Sequence, residues 1–212
     1  MMRLLGLLVL FFVAASGFAQ TRPTPGTEYR VIEPPQPVAG TKIELLEFFN
    51  YACPHCYAYE PHLKVWLKKK PSDVEFHYVP AVFNEGMLPL ARLYYALEEM
   101  ALLPKLHDKV YEAIHEKNIA LNDRAVLMKW IANQVVDVKK FEATYDSFSV
   151  GNKVQRAAQL TRNFRIPGTP YLVVDGRYLT GPSMTPGADG NVDFNRFARV
   201  LSDLIDMARR KG

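Results

Sequence analysis

The sequence predicts an α/β fold with an inserted all-helical domain. Residues 41–79 show a strand, a helix and a second strand, residues 84–164 show only helical patterning, and strand patterns return after residue 165. A block of helices between two parts of an α/β sheet is most simply an insertion. The 212 residues, 49% of them hydrophobic, are enough to bury a core, and this composition excludes a disordered or collagen-like chain.

The first nineteen residues have the pattern of a cleavable signal peptide. Arg3 precedes a mostly apolar run of twelve residues, 4–15, and Gly17 and Ala19 suit the positions before a signal-peptidase cut. The run is shorter than the roughly 20 apolar residues that span a bilayer, and an uncleaved membrane anchor is the alternative. Residues 1–19 therefore predict export to a compartment in which disulfides persist.

The first part of the sheet domain is predicted over residues 20–83. It begins with a proline-rich arm, in which residues 29–32 suit an edge strand. The apolar run 41–49 has the length and flanks of a buried strand. A helix is expected over residues 53–70, and the alternating residues 74–79 predict the next strand.

The predicted helical insertion covers residues 84–164. Apolar residues recur there at helical spacing, and prolines and an Asn-Asp pair separate the stretches. Residues 165–212 complete the sheet domain. An Asp-Gly pair predicts a two-residue hairpin turn between strands at 171–174 and 177–179, and a clean apolar stripe predicts a terminal helix.

The two cysteines stand where redox chemistry is expected. Cys53 and Cys56 follow the predicted buried strand and open the next helix, with Pro54 at the first helical position. Backbone N–H groups and the positive end of the helix dipole would favour the thiolate of Cys53, and His55 would add to this effect. The first cysteine is expected to exchange disulfides with a substrate, and the second to resolve the mixed disulfide.

Two other roles for the cysteine pair remain open. A structural disulfide across so short a loop would stabilise the fold by only about 2 kcal/mol in the chain-entropy description. A metal site would need further ligands, which the spacing of His55, His62 and His77 does not predict. We therefore expect neither a metal nor another cofactor.

The charge pattern does not indicate a nucleic-acid partner. The formal net charge is +4, and charges of both signs are mixed along the chain. The basic runs at 68–70 and 209–211 do not alternate with aromatic residues, as a stacking platform would.

Three further residues are candidates for the same site. Glu47 lies inside the apolar strand, where a carboxylate is costly unless it has a partner or a role. It either points outward or is a buried proton acceptor for the Cys56 thiol, with a pKa raised by desolvation. Thr169 and Pro170 precede a predicted strand, where proline is tolerated and a trans peptide bond is the local default. The remaining histidines are expected to be structural.

The segment LEFFNYACPHCY, residues 46–57, resembles the active-site segment of the DsbA family of periplasmic thiol–disulfide oxidoreductases. The stretch ending in Gly168-Thr169-Pro170 is similar to the cis-proline loop of that family, and the similarity extends over the whole mature chain. The resemblance implies a thioredoxin fold with an inserted helical domain. It matches Glu47 to the family's buried acid, whereas Thr169 replaces the valine that many members carry.

The resemblance also implies residue roles and partners. Cys53 would be the exposed sulfur that is attacked, Cys56 the buried one, and Pro170 a cis-proline beside which the backbone pairs with a substrate peptide. The implied activity is donation of the Cys53–Cys56 disulfide to newly exported, cysteine-containing proteins in the periplasm. We expect a monomer that is reoxidised by a DsbB-like membrane quinone reductase. The alternatives are an isomerase or reductase on this fold, a relative of kappa-type glutathione transferases, and an exported metal-binding protein that uses both thiolates.

Overall fold

The computed structural model describes residues 22–134 and 136–211. The predicted signal peptide, residues 1–19, lies outside the described residues. Within the described ranges, no helix has both the length and the apolar character needed to cross a membrane.

A five-stranded mixed sheet forms the central layer of the fold. In the order of their pairing, its strands are β1 (Arg30–Val31), β5 (Tyr178–Thr180), β4 (Tyr171–Val174), β2 (Ile43–Phe49) and β3 (Val74–Pro80). Strands β2 and β3 are parallel, and the other pairs are antiparallel. In this register Glu47 of β2 lies between Tyr78 of β3 and Leu172 of β4.

Helices cover both faces of the sheet. One face packs on α1 (Pro54–Leu67) and α7 (Phe194–Arg209), which share a core with Leu45 of β2. The other face packs on the helical block, which shares a core with Leu46 and Phe48. The block consists of α2 (Leu88–Glu99), α3 (Leu103–His115), α4 (Arg124–Ala132), α5 (Val138–Tyr145) and α6 (Phe148–Asn163). Because β2 is covered on both sides, apolar residues occupy adjacent positions along it rather than alternating with polar ones.

Proline and capping residues mark where the helices begin. Helices α1, α2 and α3 each carry a proline in their first two positions, where its missing N–H costs no intrahelical hydrogen bond. In the other four helices a side-chain oxygen before the first turn accepts a backbone N–H; the capping residues are Asp123, Asp137, Ser147 and Asp193.

The predicted hairpin is present between β4 and β5. Asp175 and Gly176 both have positive φ, 51° and 60°, which is the conformation of a two-residue turn matched to strand twist. A Cβ on Gly176 would lie 2.2 Å from the carbonyl oxygen of Gln36, so the N-terminal arm can pack there only against glycine. The arm pairs through β1 with β5, which confirms the predicted edge strand.

The five helices α2–α6 lie between β3 and β4 in the chain, as the predicted insertion requires. The predicted boundaries at residues 83/84 and 164/165 fall in the connections on either side of this block. The division of the chain into separate domains stays a prediction.

Candidate active site

A short, tightly bonded loop between β2 and α1 presents the cysteines. The Asn50 side chain accepts the N–H of Ala52 at 2.7 Å, and its backbone carbonyl accepts the N–H of Cys53 at 3.0 Å. Cys53 has an extended backbone at the position before the first helical residue, and its carbonyl accepts the N–H groups of Cys56 and Tyr57, both at 3.1 Å. The reactive sulfur therefore stands at a helix N-terminus, where the sequence predicts it.

The sulfur of Cys53 is held in its anionic form. Its pKa is lowered to about 5 by a hydrogen bond with the Cys56 side chain, with further contributions from the Thr169 side chain and the backbone N–H groups of Cys56 and His55. Burial opposes these hydrogen bonds but does not outweigh them. A thiol with such a pKa is roughly 99% ionised at neutral pH, whereas an ordinary thiol is roughly 3% ionised.

Cys56 has the opposite character. It is 1% exposed and points into the core, while Cys53 is half-buried, and both are free thiols in this structure. Burial raises the pKa of the Cys56 thiol far above its ordinary value, and the Cys53 hydrogen bond and the charge of Glu47 act in the same direction. One sulfur of the pair is thus an accessible thiolate and the other a protected thiol.

His55 is exposed at the surface beside Cys53. Its contribution to the Cys53 thiolate in this structure is its backbone N–H. A role of the imidazole ring in tuning the site stays a prediction.

Glu47 is buried, with 1% of its surface exposed, so the outward orientation left open by the sequence does not occur. Its pKa is raised well above the ordinary carboxyl value, first by burial and then by the charge of Glu60. Its Oε2 atom has no hydrogen-bond partner among the described residues. A buried carboxyl group with a raised pKa holds its proton more tightly than an exposed one and can exchange it without leaving the core.

Replacing Glu47 with leucine is expected to stabilise the reduced protein by about 2 kcal/mol at pH 7, because the substitution removes a buried and incompletely bonded carboxyl group. The gain should be smaller at pH 4, because a carboxyl group with a raised pKa costs stability only above its ordinary value of 4.5. Urea unfolding at both pH values measures this difference. Glu47→Gln, which keeps a buried polar group, should gain less, and a destabilised leucine variant would contradict the account.

The loop before β4 approaches the reactive sulfur. The Thr169–Pro170 peptide bond is cis, as the family resemblance implies. The Sγ atom of Cys53 lies 3.2 Å from the Thr169 carbonyl oxygen, to which only the protonated thiol can donate a hydrogen bond. The two parts of the sheet domain, separated in the chain by the helical block, therefore meet at this sulfur.

Thr169→Val is expected to raise the pKa of Cys53 by about one unit, since it removes one of several hydrogen bonds to the thiolate and keeps the side-chain volume. The matched control Thr169→Ser retains the hydroxyl group and should leave the pKa close to that of the unchanged chain. Thiolate ultraviolet absorbance measures both. Equal pKa values in the valine and serine variants would show that the hydroxyl group does not act on Cys53.

An apolar groove of about 320 Å³ opens beside Cys53, between the active-site loop and the helical block. Its lining includes Met87, Leu90, Ile114, Leu121 and Thr169. The sequence predicts Leu90 and Ile114 only as helix-face residues, because nothing in the periodicity distinguishes a groove wall from a core position. The groove is large enough to hold apolar side chains of an extended peptide.

Polar side chains that were not among the predicted site residues lie beneath the site. Glu60 is 5% exposed and accepts the hydroxyl hydrogen of Tyr78 at 2.9 Å, and its Oε1 lies 3.5 Å from Nε2 of His107. Glu60 lies one helical turn after Cys56, on the face of α1 that carries Leu63, and this spacing is the signal that could have indicated its burial.

Metal-ligating side chains do not converge in the part of the chain that the structure describes. No group of three or more His, Cys, Asp or Glu side chains there has a suitable arrangement. Cys53 and Cys56 are the only two cysteines in the sequence.

Known proteins resemble the chain over most of its length. Residues 44–201 match the family described as DSBA-like thioredoxin domain. The thiol:disulfide interchange protein DsbA of Bordetella parapertussis is 45% identical over 184 residues, which cover 86% of this chain and 85% of the relative. The protein of the same name from Burkholderia cepacia is 39% identical over 217 residues and covers 100% and 99%.

Solved structures show the same architecture. The crystal structure of Pseudomonas aeruginosa DsbA superimposes with a TM-score of 0.81 at 32% identity, covering 89% of this chain and 96% of that one. The Xylella fastidiosa oxidoreductase DsbA gives a TM-score of 0.78, also at 32% identity, covering 89% and 98%. These similarities confirm the predicted fold class, a thioredoxin fold with inserted helices.

Proposed function

The chain belongs to the DSBA-like thioredoxin domain family, whose relatives are thiol:disulfide interchange proteins, and on this premise we propose that it is a dithiol oxidase. It donates the Cys53–Cys56 disulfide to newly exported proteins that contain cysteines. The observation that carries the proposal is the contrast between an accessible Cys53 thiolate, with a pKa of about 5, and a buried Cys56 thiol.

The direction of exchange follows from what stabilises Cys53. Hydrogen bonds from the Cys56 side chain, from Thr169 and from the helix N-terminus favour the thiolate, which exists only in the reduced protein. These hydrogen bonds stabilise a thiolate more than they stabilise the neutral sulfur of a disulfide. They therefore lower the free energy of the reduced form relative to the oxidised form. A low pKa also makes Cys53 a good leaving group, which favours release of the client protein.

The exchange proceeds in two balanced steps. A client thiolate attacks Sγ of Cys53, and the bond to Cys56 breaks with its electron pair on the Cys56 sulfur, which takes up a proton. A second client thiolate attacks the client sulfur of the mixed disulfide, and Cys53 leaves as a thiolate. Two client thiols become one disulfide, and two electrons remain on this chain.

In this proposal Glu47 donates a proton to Cys56 and accepts it back. Burial raises the pKa of its carboxyl group well above the ordinary value, so that it can supply a proton when Cys56 leaves as a thiolate. The reverse transfer removes that proton when the disulfide forms again. The charge of Glu47 raises the pKa of the Cys56 thiol, and this coupling supports the pairing.

Clients are held by the groove and by the loop before β4. The apolar groove beside Cys53 receives apolar side chains, and the backbone at Thr169 and Pro170 pairs with the extended peptide that carries the reacting cysteine. Such contacts suit unfolded chains, which expose both apolar side chains and backbone groups.

The cycle takes place in the periplasm, to which the pattern of residues 1–19 directs the chain. The protein acts as a monomer there and uses no cofactor of its own. Return to the disulfide form requires a two-electron oxidant, and a DsbB-like membrane quinone reductase supplies it by passing the electrons to quinone.

Transfer of one disulfide to a reduced protein distinguishes the oxidase from an isomerase or reductase. Oxidised mature protein is mixed with a reduced, unfolded protein that contains several cysteines, and free thiols are counted in both. We expect one client disulfide per oxidised chain and little reduction of insulin by the reduced chain. Rapid insulin reduction with poor client oxidation would overturn the proposal in favour of a reductase.

A further inference from the structure

The active-site loop is bound to the helical block through Tyr51, a buried residue two positions before Cys53. The hydroxyl oxygen of Tyr51 lies 2.8 Å from Nδ1 of His107, and its carbonyl oxygen accepts a hydrogen bond from Nε2 of His115, also at 2.8 Å. Both histidines belong to α3. We call Tyr51, His107 and His115 the Tyr51 clamp, because two side chains of one helix hold both ends of one residue.

Both hydrogen bonds satisfy groups that would otherwise be costly to bury. The Tyr51 carbonyl lies after β2 and before α1, so neither the strand ladder nor the helix supplies it with a donor. A carbonyl oxygen only accepts, and His115 therefore carries its hydrogen on Nε2. The Tyr51 hydroxyl is likewise buried, and a buried phenol normally has a polar partner.

His115 is fixed in orientation by α1. The Tyr57 ring stacks on the His115 ring, with centroids 4.9 Å apart and planes 4° from parallel. The Tyr57 hydroxyl donates to Glu116, the residue that follows the end of α3. The imidazole therefore lies between the active-site loop and the first turns of α1, and it cannot rotate without breaking one of these contacts.

His107 is held at the other end of the clamp by packing against aromatic rings. Its Nε2 lies 3.5 Å from Oε1 of Glu60, which also accepts the Tyr78 hydroxyl hydrogen at 2.9 Å. The ring also packs against Phe49, at a centroid distance of 5.8 Å. The clamp therefore joins α3 to α1, to β2 and to β3, the elements that surround the cysteines.

We propose that His107 and His115 are positioning residues, which act through Tyr51 to hold the backbone before Cys53 so that its sulfur meets its hydrogen-bond donors. The Cys53 thiolate depends on the Cys56 side chain, on the Thr169 side chain of the loop on its other side, and on backbone N–H groups of the following turn. Hydrogen bonds weaken steeply with small changes of distance and angle, so a loop that shifts would lose part of this set. The helical block thus sets the geometry of the reactive sulfur.

His115→Phe tests the main-chain end of the clamp. The substitution keeps a flat ring against Tyr57 and removes the donor to the Tyr51 carbonyl. We expect the pKa of Cys53, measured by thiolate absorbance in the reduced protein, to rise by about one unit, and the glutathione equilibrium to shift by about tenfold toward a less oxidising protein. His115→Gln restores an N–H donor and should recover most of both changes.

Tyr51→Phe tests the side-chain end and does not depend on how well the His115 variants fold. It keeps the ring packing and removes the hydroxyl bonded to His107. A smaller rise of the Cys53 pKa in the same direction is expected. The proposal is overturned if His115→Phe and Tyr51→Phe lower thermal stability but leave the pKa and the glutathione equilibrium unchanged, or if His115→Gln shifts both as much as His115→Phe.

The inference rests on the proposed function only in taking Cys53 as the reacting thiol. The pKa of Cys53 is measured on this protein without any client. The proposed role of the clamp can therefore be disproved while disulfide transfer by the unchanged chain is still observed. A failure of the proposed function would instead appear in the unchanged chain, as the absence of client oxidation.

Discussion

Cys53→Ser is expected to reduce disulfide transfer to the uncatalysed background rate. A serine hydroxyl can neither form a disulfide nor ionise at neutral pH, so both steps of the exchange lose their reacting atom. Cys56 cannot replace it, because its sulfur is 1% exposed and burial raises its pKa. Oxidation of a reduced client protein, followed by thiol counting, measures the loss.

Cys56→Ser is the matched control, and it should fail in a different way. The accessible Cys53 thiolate remains, so the variant should form mixed disulfides with small disulfides and with oxidised clients, but it cannot resolve them within the chain. Gel electrophoresis without reductant would show these adducts. Adducts on Cys53→Ser and none on Cys56→Ser would mean that the roles of the two cysteines are reversed.

The reduced protein is expected to be more stable than the oxidised protein at neutral pH, and this advantage should be lost in acid. The pKa of Cys53 is about 5 in the folded state, against about 8.5 for an unfolded thiol. A depressed folded pKa contributes stability that is fully present above the unfolded pKa and is lost as the pH falls through the folded value. Between these limits, the ratio of the two unfolding constants should change by about tenfold per pH unit.

Denaturant unfolding of both redox forms between pH 4 and pH 9 checks this linkage. Most other groups titrate alike in the two forms, so their contributions largely cancel in the difference. Reduced Cys53→Ser lacks the thiolate, so its free energy of unfolding should not show this dependence on pH. An oxidised form that is the more stable one at pH 7, or a difference independent of pH, would show that the thiolate is not what drives the exchange.

The features predicted most directly from the sequence are those set by neighbours in the chain. The position of Cys53 at a helix N-terminus follows from the strand before it and from Pro54, and the turn at Asp175 and Gly176 follows from the residue types themselves. Helix α5 was not predicted, because among its eight residues only Phe141 and Tyr145 are buried, too few to form a clear stripe.

Contacts between distant parts of the chain could not be predicted in this way. The orientation of Glu47 stayed open because β2 is buried on both faces, so that alternation carries no information. The bond between Tyr51 and His107 joins residues 56 positions apart, and no local pattern marks either partner. His107 and His115 were therefore expected to be merely structural, although both contact the active-site loop.

The most direct test of the account is the titration of Cys53 in the reduced mature protein, followed by thiolate ultraviolet absorbance. Cys56 does not interfere, since burial keeps its thiol protonated over the same range. We predict a single transition with a midpoint of about 5. A midpoint between about 8 and 9, the range of an ordinary thiol, would contradict the claim that the fold stabilises the Cys53 thiolate.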